Sequence, residues 1–154
     1  MAKVALVMGS ESDKPVVNEA IPYLDYFAIA HEMHIISAHR TPDSVQRFAS
    51  EAKEKGLDVI IACAGMAAHL PGVIAAYTTL PVIGVPLEVG ALKGVDSLYS
   101  IVQMPTGVPV ATMAIGRAGV RNSAIFAAQI IARFDKRVAD LVEKFKKNNS
   151  RIPL

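Results

Sequence analysis

Asp58-Val59-Ile60-Ile61-Ala62-Cys63 is apolar from its second residue onward and opens at once into Ala64-Gly65-Met66-Ala67-Ala68-His69-Leu70-Pro71-Gly72. A sheet with one face in water alternates apolar and polar residues. A strand covered by helices on both faces has no reason to, so a short unbroken apolar run reads as a central strand of a parallel sheet. Val4-Ala5-Leu6-Val7-Met8 has the same character and ends in Gly9-Ser10-Glu11-Ser12-Asp13. About Ile29 to Ile36, Pro81 to Val85 (ended by Pro86) and Val108 to Met113 supply the second, fourth and fifth strands. Helical stretches fall between them. The first runs from Pro15 to roughly Phe27, with Ser12 or Asp13 as its cap and Pro22 as a kink. The second starts at Pro42, with Thr41 as cap, and stops at Gly56. A third follows the Gly65 loop to about Thr78, and a fourth covers Gly94 to Ile101. From Gly119 the chain reads as helical to near Asn148, with a break at Asp135. Alternating strands and helices predict an α/β fold: a three-layer αβα sandwich with a flavodoxin-like parallel sheet, order 2-1-3-4-5, forming a single domain over residues 1–154.

A formal net charge of +2 over 154 residues is too small to argue for nucleic acid, and no dense basic tract appears. Lys136, Arg137, Lys144, Lys146 and Lys147 read as a solvated helix face with dipole-favourable charge at its end. The one cysteine, Cys63, rules out an intrachain disulfide and reads as a small core residue. The apolar tract from Leu57 to Leu87 is broken by Gly65, His69, Pro71, Gly72, Pro81, Gly84 and Pro86, so no membrane span is expected. Met1-Ala2-Lys3-Val4 lacks the layout of a signal peptide, and a cytoplasmic location is expected. Hydrophobic residues make up 52% of the chain. That excess, and a helix apolar on nearly every side at Ala124–Ala132, predict burial of the C-terminal helix in subunit contacts.

In open parallel sheets, ligands bind beyond the carboxyl ends of the strands. Three loops belong there. The first carries Ser10, Ser12 and Asp13; the second, Ser37-Ala38-His39-Arg40-Thr41-Pro42; the third, Gly65, Ala67, Ala68 and His69. Hydroxyls and free N–H groups suit phosphate oxygens, Arg40 can grip a phosphate with two parallel bonds, and Asp13 suits ribose hydroxyls. His39 can exchange protons near neutral pH without help. Each feature has a plainer reading: Ser and Asp after a strand are common helix caps, and His69 before Leu-Pro-Gly could simply cap its helix. His31 and His34 belong to the second strand and read as structural, and their spacing puts them on opposite faces, so no metal site follows. A phosphorelay receiver needs a carboxylate ending the third strand, where this chain has Cys63-Ala64-Gly65. A dinucleotide fold needs a glycine fingerprint after the first strand, and a flavin module needs aromatics, which are 6% here. What remains is a mononucleotide site with acid–base capacity.

Gly9–Asp13, Ser37–Pro42, Ala67–Gly72 and Asp96-Ser97-Leu98-Tyr99-Ser100-Ile101-Val102-Gln103-Met104-Pro105 stand in an order that closely resembles one family. That family is the catalytic subunit of phosphoribosylaminoimidazole carboxylase, in its bacterial-type branch of N5-carboxyaminoimidazole ribonucleotide mutases. The likeness covers about Val4 to Phe134. The resemblance implies a homo-octamer acting on a small-molecule ribonucleotide in purine biosynthesis, with neither metal nor organic cofactor. It implies transfer of a carboxylate from N5 to C4 of the aminoimidazole by loss and recapture of CO2. His39 would be the acid–base residue, Ser10, Ser12, Ser37 and Arg40 would hold the phosphate, and Asp13 the ribose. Gly65, Ala67, His69 and Leu70 would line the CO2 pocket. The chain departs from the family pattern at Met66, where the family has glycine, and at Val89, where it often has Ser or Thr. Two other functions are compatible with the motifs: direct carboxylation of aminoimidazole ribonucleotide by dissolved CO2, and non-catalytic nucleotide binding.

Overall fold

A computed structural model describes residues 1–153. Strands β1 (Lys3–Met8), β2 (Ala30–Ile35), β3 (Val59–Gly65), β4 (Val82–Leu87) and β5 (Ala111–Thr112) pair in parallel throughout, in the order β2-β1-β3-β4-β5. The expected strand order is the observed one. Its cause is visible in the period-2 division of the apolar runs. Val4, Leu6 and Met8 of β1, with Val59, Ile61 and Cys63 of β3, face one core. Ala5 and Val7, with Ile60, Ala62 and Ala64, face the other. Each face is covered by helices. Helices α1 (Lys14–Val17), α2 (Ile21–Tyr26), α6 (Arg117–Ile131) and α7 (Lys136–Lys147) contribute to the first core. Helices α3 (Pro42–Glu51), α4 (Leu70–Tyr77) and α5 (Val95–Val102) contribute to the second. Polar residues enter the sheet at its β2 edge, where Glu32 pairs with Lys3 and, at 2.8 Å, with His34 Nε2. His31 and His34 are thus residues of an edge strand, as expected.

Several elements differ from the sequence reading, each for a local reason. The first helix is not one kinked rod. It is two short α segments separated by a 3-10 turn at Asn18–Ala20 and preceded by another at Glu11–Asp13, and Pro22 sits in the first turn of α2, where its missing N–H leaves no bond unmade. Its cap is Ser10, whose hydroxyl accepts from the Ser12 N–H, and neither Ser12 nor Asp13 caps it with a side chain. Thr41 precedes α3 as expected, but its hydroxyl bonds back to Ser37 and not to the helix, and α3 ends at Glu51 before turns that reach Gly56. Pro86 lies inside β4. Ile83 and Val85 direct their N–H groups toward β3, so Gly84 and Pro86 face the β5 side, where pairing stops at Gly84 with Thr112. A proline costs no ladder bond there. For the same reason β5 is only Ala111–Thr112, shorter than Val108–Met113. Asp135 does break the C-terminal helix: its carboxylate accepts from the N–H groups of Arg137 and Val138 and caps α7. Much of the apolar surface of α6 is absorbed by the chain's own core, where Val120, Ala124, Ala127, Ala128 and Ile131 are fully buried.

Candidate active site

Register sets the site. Met8 pairs with both Ile35 and Cys63, so the loops after β1, β2 and β3 leave the sheet at one height and on one edge. They enclose a cavity of about 380 Å³. All ten residues singled out from the sequence line it: Ser10, Ser12, Asp13, Ser37, His39, Arg40, Gly65, Ala67, His69 and Leu70.

The second loop is held by its own hydroxyls. Ser37 Oγ accepts from the Arg40 N–H at 3.2 Å, while Thr41 Oγ1 accepts from the Ser37 N–H and donates to the Ser37 carbonyl, each at 3.1 Å. These bonds fix the turn so that His39 and Arg40 project from it. Among the described residues the Arg40 guanidinium has no acidic partner, which leaves its fork free for an anion. Across the cavity, Ser10 and Ser12 bond hydroxyl to hydroxyl at 2.9 Å, presenting two oxygens side by side.

His39 Nε2 lies 2.7 Å from His69 Nδ1, with the rings nearly perpendicular at 87°. That distance is a hydrogen bond in which one ring nitrogen donates and the other accepts. His69 stands at the N-cap position of α4 yet makes no side-chain cap bond. Of the two alternatives left open by the sequence, the capping one is not what the ring does: it bonds His39 in the lining of the cavity. Residues 39 and 69 lie thirty apart, and no sequence signal links them.

Burial raises the pKa of Asp13 above its ordinary value of 3.8, partly offset by a backbone hydrogen bond at Ser10. The folded chain therefore holds this proton more tightly than the unfolded chain does, and ionisation costs the native state stability as pH rises through the folded value. Asp13→Asn is expected to melt at a higher temperature than the parent at pH 7, with the difference shrinking toward zero as pH falls below about 3.8. A thermal melt series across pH checks it. Cys63 is fully buried, and burial with the nearby Asp13 charge pushes its thiol far up, so it is a neutral core residue.

Five lining residues were not among the expected contacts: Gly9, Ala38, Ala64, Met66 and Val89. Met66 adopts φ +53°, a left-handed conformation that costs a non-glycine residue about 1–2 kcal/mol. Its place in a family glycine position was the available signal. Gly65 must lack a side chain, since an added Cβ would lie 2.7 Å from Val89 Cγ2. Among the described residues no three His, Cys, Asp or Glu side chains group to hold a metal ion. Nor is any helix there long and apolar enough to cross a membrane.

The AIR carboxylase family model matches residues 3–151. The chain belongs to the AIR carboxylase family. Among relatives of this family, the N5-carboxyaminoimidazole ribonucleotide mutase of Vibrio vulnificus is 54% identical over 144 residues, covering 94% of this chain and 89% of its own. The mutase of the same name from Escherichia coli K12 is 53% identical over 146 residues, covering 95% and 86%. A solved structure of Treponema denticola PurE superposes with a TM-score of 0.85 at 28% identity, covering 97% of this chain and 92% of that one. The AIR carboxylase match thus takes in all three loops of the cavity and the Asp96–Pro105 motif.

Proposed function

We propose that this chain is an N5-carboxyaminoimidazole ribonucleotide mutase, converting the N5-carbamate of aminoimidazole ribonucleotide into the C4-carboxylate. The observation that carries the reading is that His39, bonded to His69 of the Gly65–Leu70 loop, shares the lining of one cavity with Ser10 and Ser12. Relatives more than half identical over nearly the whole chain bear the same activity in their names.

In this reading the phosphate lies among Ser10, Ser12, Ser37 and Arg40, and Asp13 takes the ribose hydroxyls. Contacts remote from the reacting atoms fix the ring's orientation. His39 gives a proton to N5, the C–N bond breaks with its electron pair going to nitrogen, and CO2 is released. The enamine-like C4 then attacks CO2, forming the new C–C bond, and His39 takes back the proton that C4 sheds. Protons balance, so one imidazole serves both steps. The mutual bond between His39 and His69 fixes which nitrogen of each ring is free to meet the ligand. Gly65, Ala67, His69 and Leu70 would bound the space that CO2 occupies.

Supplying the purified protein with the carbamate, and separately with aminoimidazole ribonucleotide plus CO2, tests this by absorbance. Rapid product formation from the carbamate supports the mutase. Product from the second mixture alone would assign direct carboxylation, and saturable binding with no product would leave a nucleotide-binding protein. The same reading carries an assembly, a homo-octamer in the cytoplasm. Leu92, Val95, Tyr99 and Val102 are exposed around α5, in and beside the Asp96–Pro105 motif, and would be covered by neighbouring copies. A monomer mass by light scattering would remove that assembly.

A further inference from the structure

The Asp96–Pro105 motif contributes no residue to the lining of the cavity, yet three of its side chains meet backbone that leads to the loop after β3. The buried Ser97 hydroxyl lies 3.0 Å from the Leu87 carbonyl oxygen and 2.9 Å from that of Gly94, which ties the start of α5 to the end of β4, and Leu87 is in register with Gly65. Ile101, in the last turn of α5, lies over Gly84. A Cβ added to that glycine would stand 2.5 Å from Ile101 Cγ2 and 3.3 Å from Pro71 Cβ, so α5 and the start of α4 meet over a bare stretch of strand. Beyond the end of α5, Met104 reaches α4 itself. Its Sδ and Cε would each stand 3.1 Å from a Cβ on Gly72, so the thioether rests on the backbone of α4's first turn. His69 immediately precedes that turn, and its carbonyl accepts the Val73 N–H at 3.0 Å, the opening bond of the helix. His69 therefore moves with the turn.

We propose that Met104 is a positioning residue for the reaction: by resting on Gly72 it sets the place of α4's first turn, and with it the place of the His69 imidazole against His39. The proposal rests on the mutase reading, in which His39 moves the protons. The two rings meet at 2.7 Å, and a hydrogen bond of that length does not survive a shift of an ångström, a misplacement that can cost about 10²-fold in rate. No side chain caps α4, so packing has to hold its first turn. The bare Gly84 lets Pro71 come down onto β4, and Met104 closes the space that Gly72 leaves open. An unbranched thioether suits this, since it reaches past the end of α5 and fills an irregular gap. The residues assigned to the phosphate, Ser10, Ser12, Ser37 and Arg40, belong to the other two loops of the cavity. The brace thus bears on the reacting centre and not on the grip of the phosphate.

The test is a reconstitution across the contact. Initial rates with the carbamate are divided by the number of sites that bind aminoimidazole ribonucleotide in calorimetry, so a partly unfolded sample does not pass for a slow one. Met104→Ala is expected to lower kcat per site about 10-fold or more while KM stays within a few-fold. Met104→Leu, which keeps the bulk, should stay near the parent. Gly72→Ala places a methyl group where the thioether ends. In the parent the flexible thioether yields and kcat changes little. In the Met104→Ala background the same methyl group fills part of the gap, and kcat recovers several-fold. Ile74→Val thins the buried face of the same helix one turn further on, and should lower Tm without changing kcat per site. Parent-like kcat in Met104→Ala, a change in KM alone, an equal loss of kcat in Ile74→Val, or a double variant no faster than Met104→Ala overturns the brace. If Met104→Ala yields no folded protein, Met104→Val is read in its place. A parent that makes no product from the carbamate overturns the mutase reading instead, and the brace falls with it.

Discussion

His39→Asn is expected to lower kcat by about 10²–10⁴-fold while leaving nucleotide affinity within a few-fold of the parent, because asparagine keeps a polar group of similar reach and cannot exchange a proton. The split between rate and binding is what matters. His39 lies on a turn fixed by Ser37 and Thr41, and none of those bonds uses the imidazole, so the substitution leaves the turn and its phosphate contacts in place. The one contact removed is the bond to His69 Nδ1. Arg40→Ala should show the opposite pattern, a raised KM with a smaller effect on kcat, since in the proposed binding mode its guanidinium acts at the phosphate, away from the bonds that change. Steady-state kinetics with calorimetric binding of aminoimidazole ribonucleotide reads both. If His39→Asn keeps a tenth or more of parent kcat, the proton passes through another group, and His69, in direct contact with it, is then the candidate. If Arg40→Ala leaves KM unchanged, the phosphate lies elsewhere in the cavity.

Which parts of this molecule could be read from its sequence follows from how local their causes are. β1 and β3 were legible because burial on both faces leaves an unbroken apolar run, and the structure assigns Val4, Leu6 and Met8 to one core and Ala5 and Val7 to the other. The three loops were legible because parallel register places them on one edge, and Ser10, Ser37, His39 and Arg40 carry their chemistry within a few residues of a strand end. Pro86 was misread because a missing N–H matters only where an acceptor faces it, and on the β5 side of β4 the ladder ends at Gly84 and Pro86 offers only its carbonyl, to the Gly116 N–H, which depends on chain far along the sequence. The single first helix was misread because the choice between α and 3-10 geometry at Asn18–Ala20 is made by packing against α6, where Ala20 is buried. Of the apolar surface of α6, Ala124, Ala127 and Ala128 find cover within the chain, which the sequence could not tell from cover by a neighbour, since hydropathy reports the need for cover and not its source. The His39–His69 bond and the packing of Val89 against Gly65 were invisible as contacts for one reason: each is a meeting of different loops, and nothing in the spacing of either loop records the other.

Gly119→Ala tests the fold as His39→Asn tests the chemistry, and it inverts a simple expectation. Gly119 is in the first turn of α6, where replacing glycine with alanine ordinarily stabilises a helix by about 0.5–1 kcal/mol. Here a Cβ would fall inside the van der Waals shell of the Ala114 carbonyl oxygen, lie 2.7 Å from its carbon, and stand 3.1 Å from Val85 Cγ1. The first of these is backbone, tied into the segment that joins β5 to α6 beside the end of β4, where the Gly116 N–H donates to the Pro86 carbonyl at 2.8 Å. That oxygen cannot swing aside as a flexible side chain would. Either α6 shifts away from β4 or the connecting segment moves, and both loosen a core that contains Val120, Ala124 and Val85. A loss of about 3 kcal/mol, or roughly 10 °C in Tm, is expected from overpacking of this kind. Gly9→Ala is the matched control, because nothing lies within 4 Å of its added Cβ, and its Tm should move little. A Gly119→Ala variant that melts with the parent would mean that α6 does not press on the Ala114 backbone, and the close packing of that helix on the end of β4 would have to be abandoned.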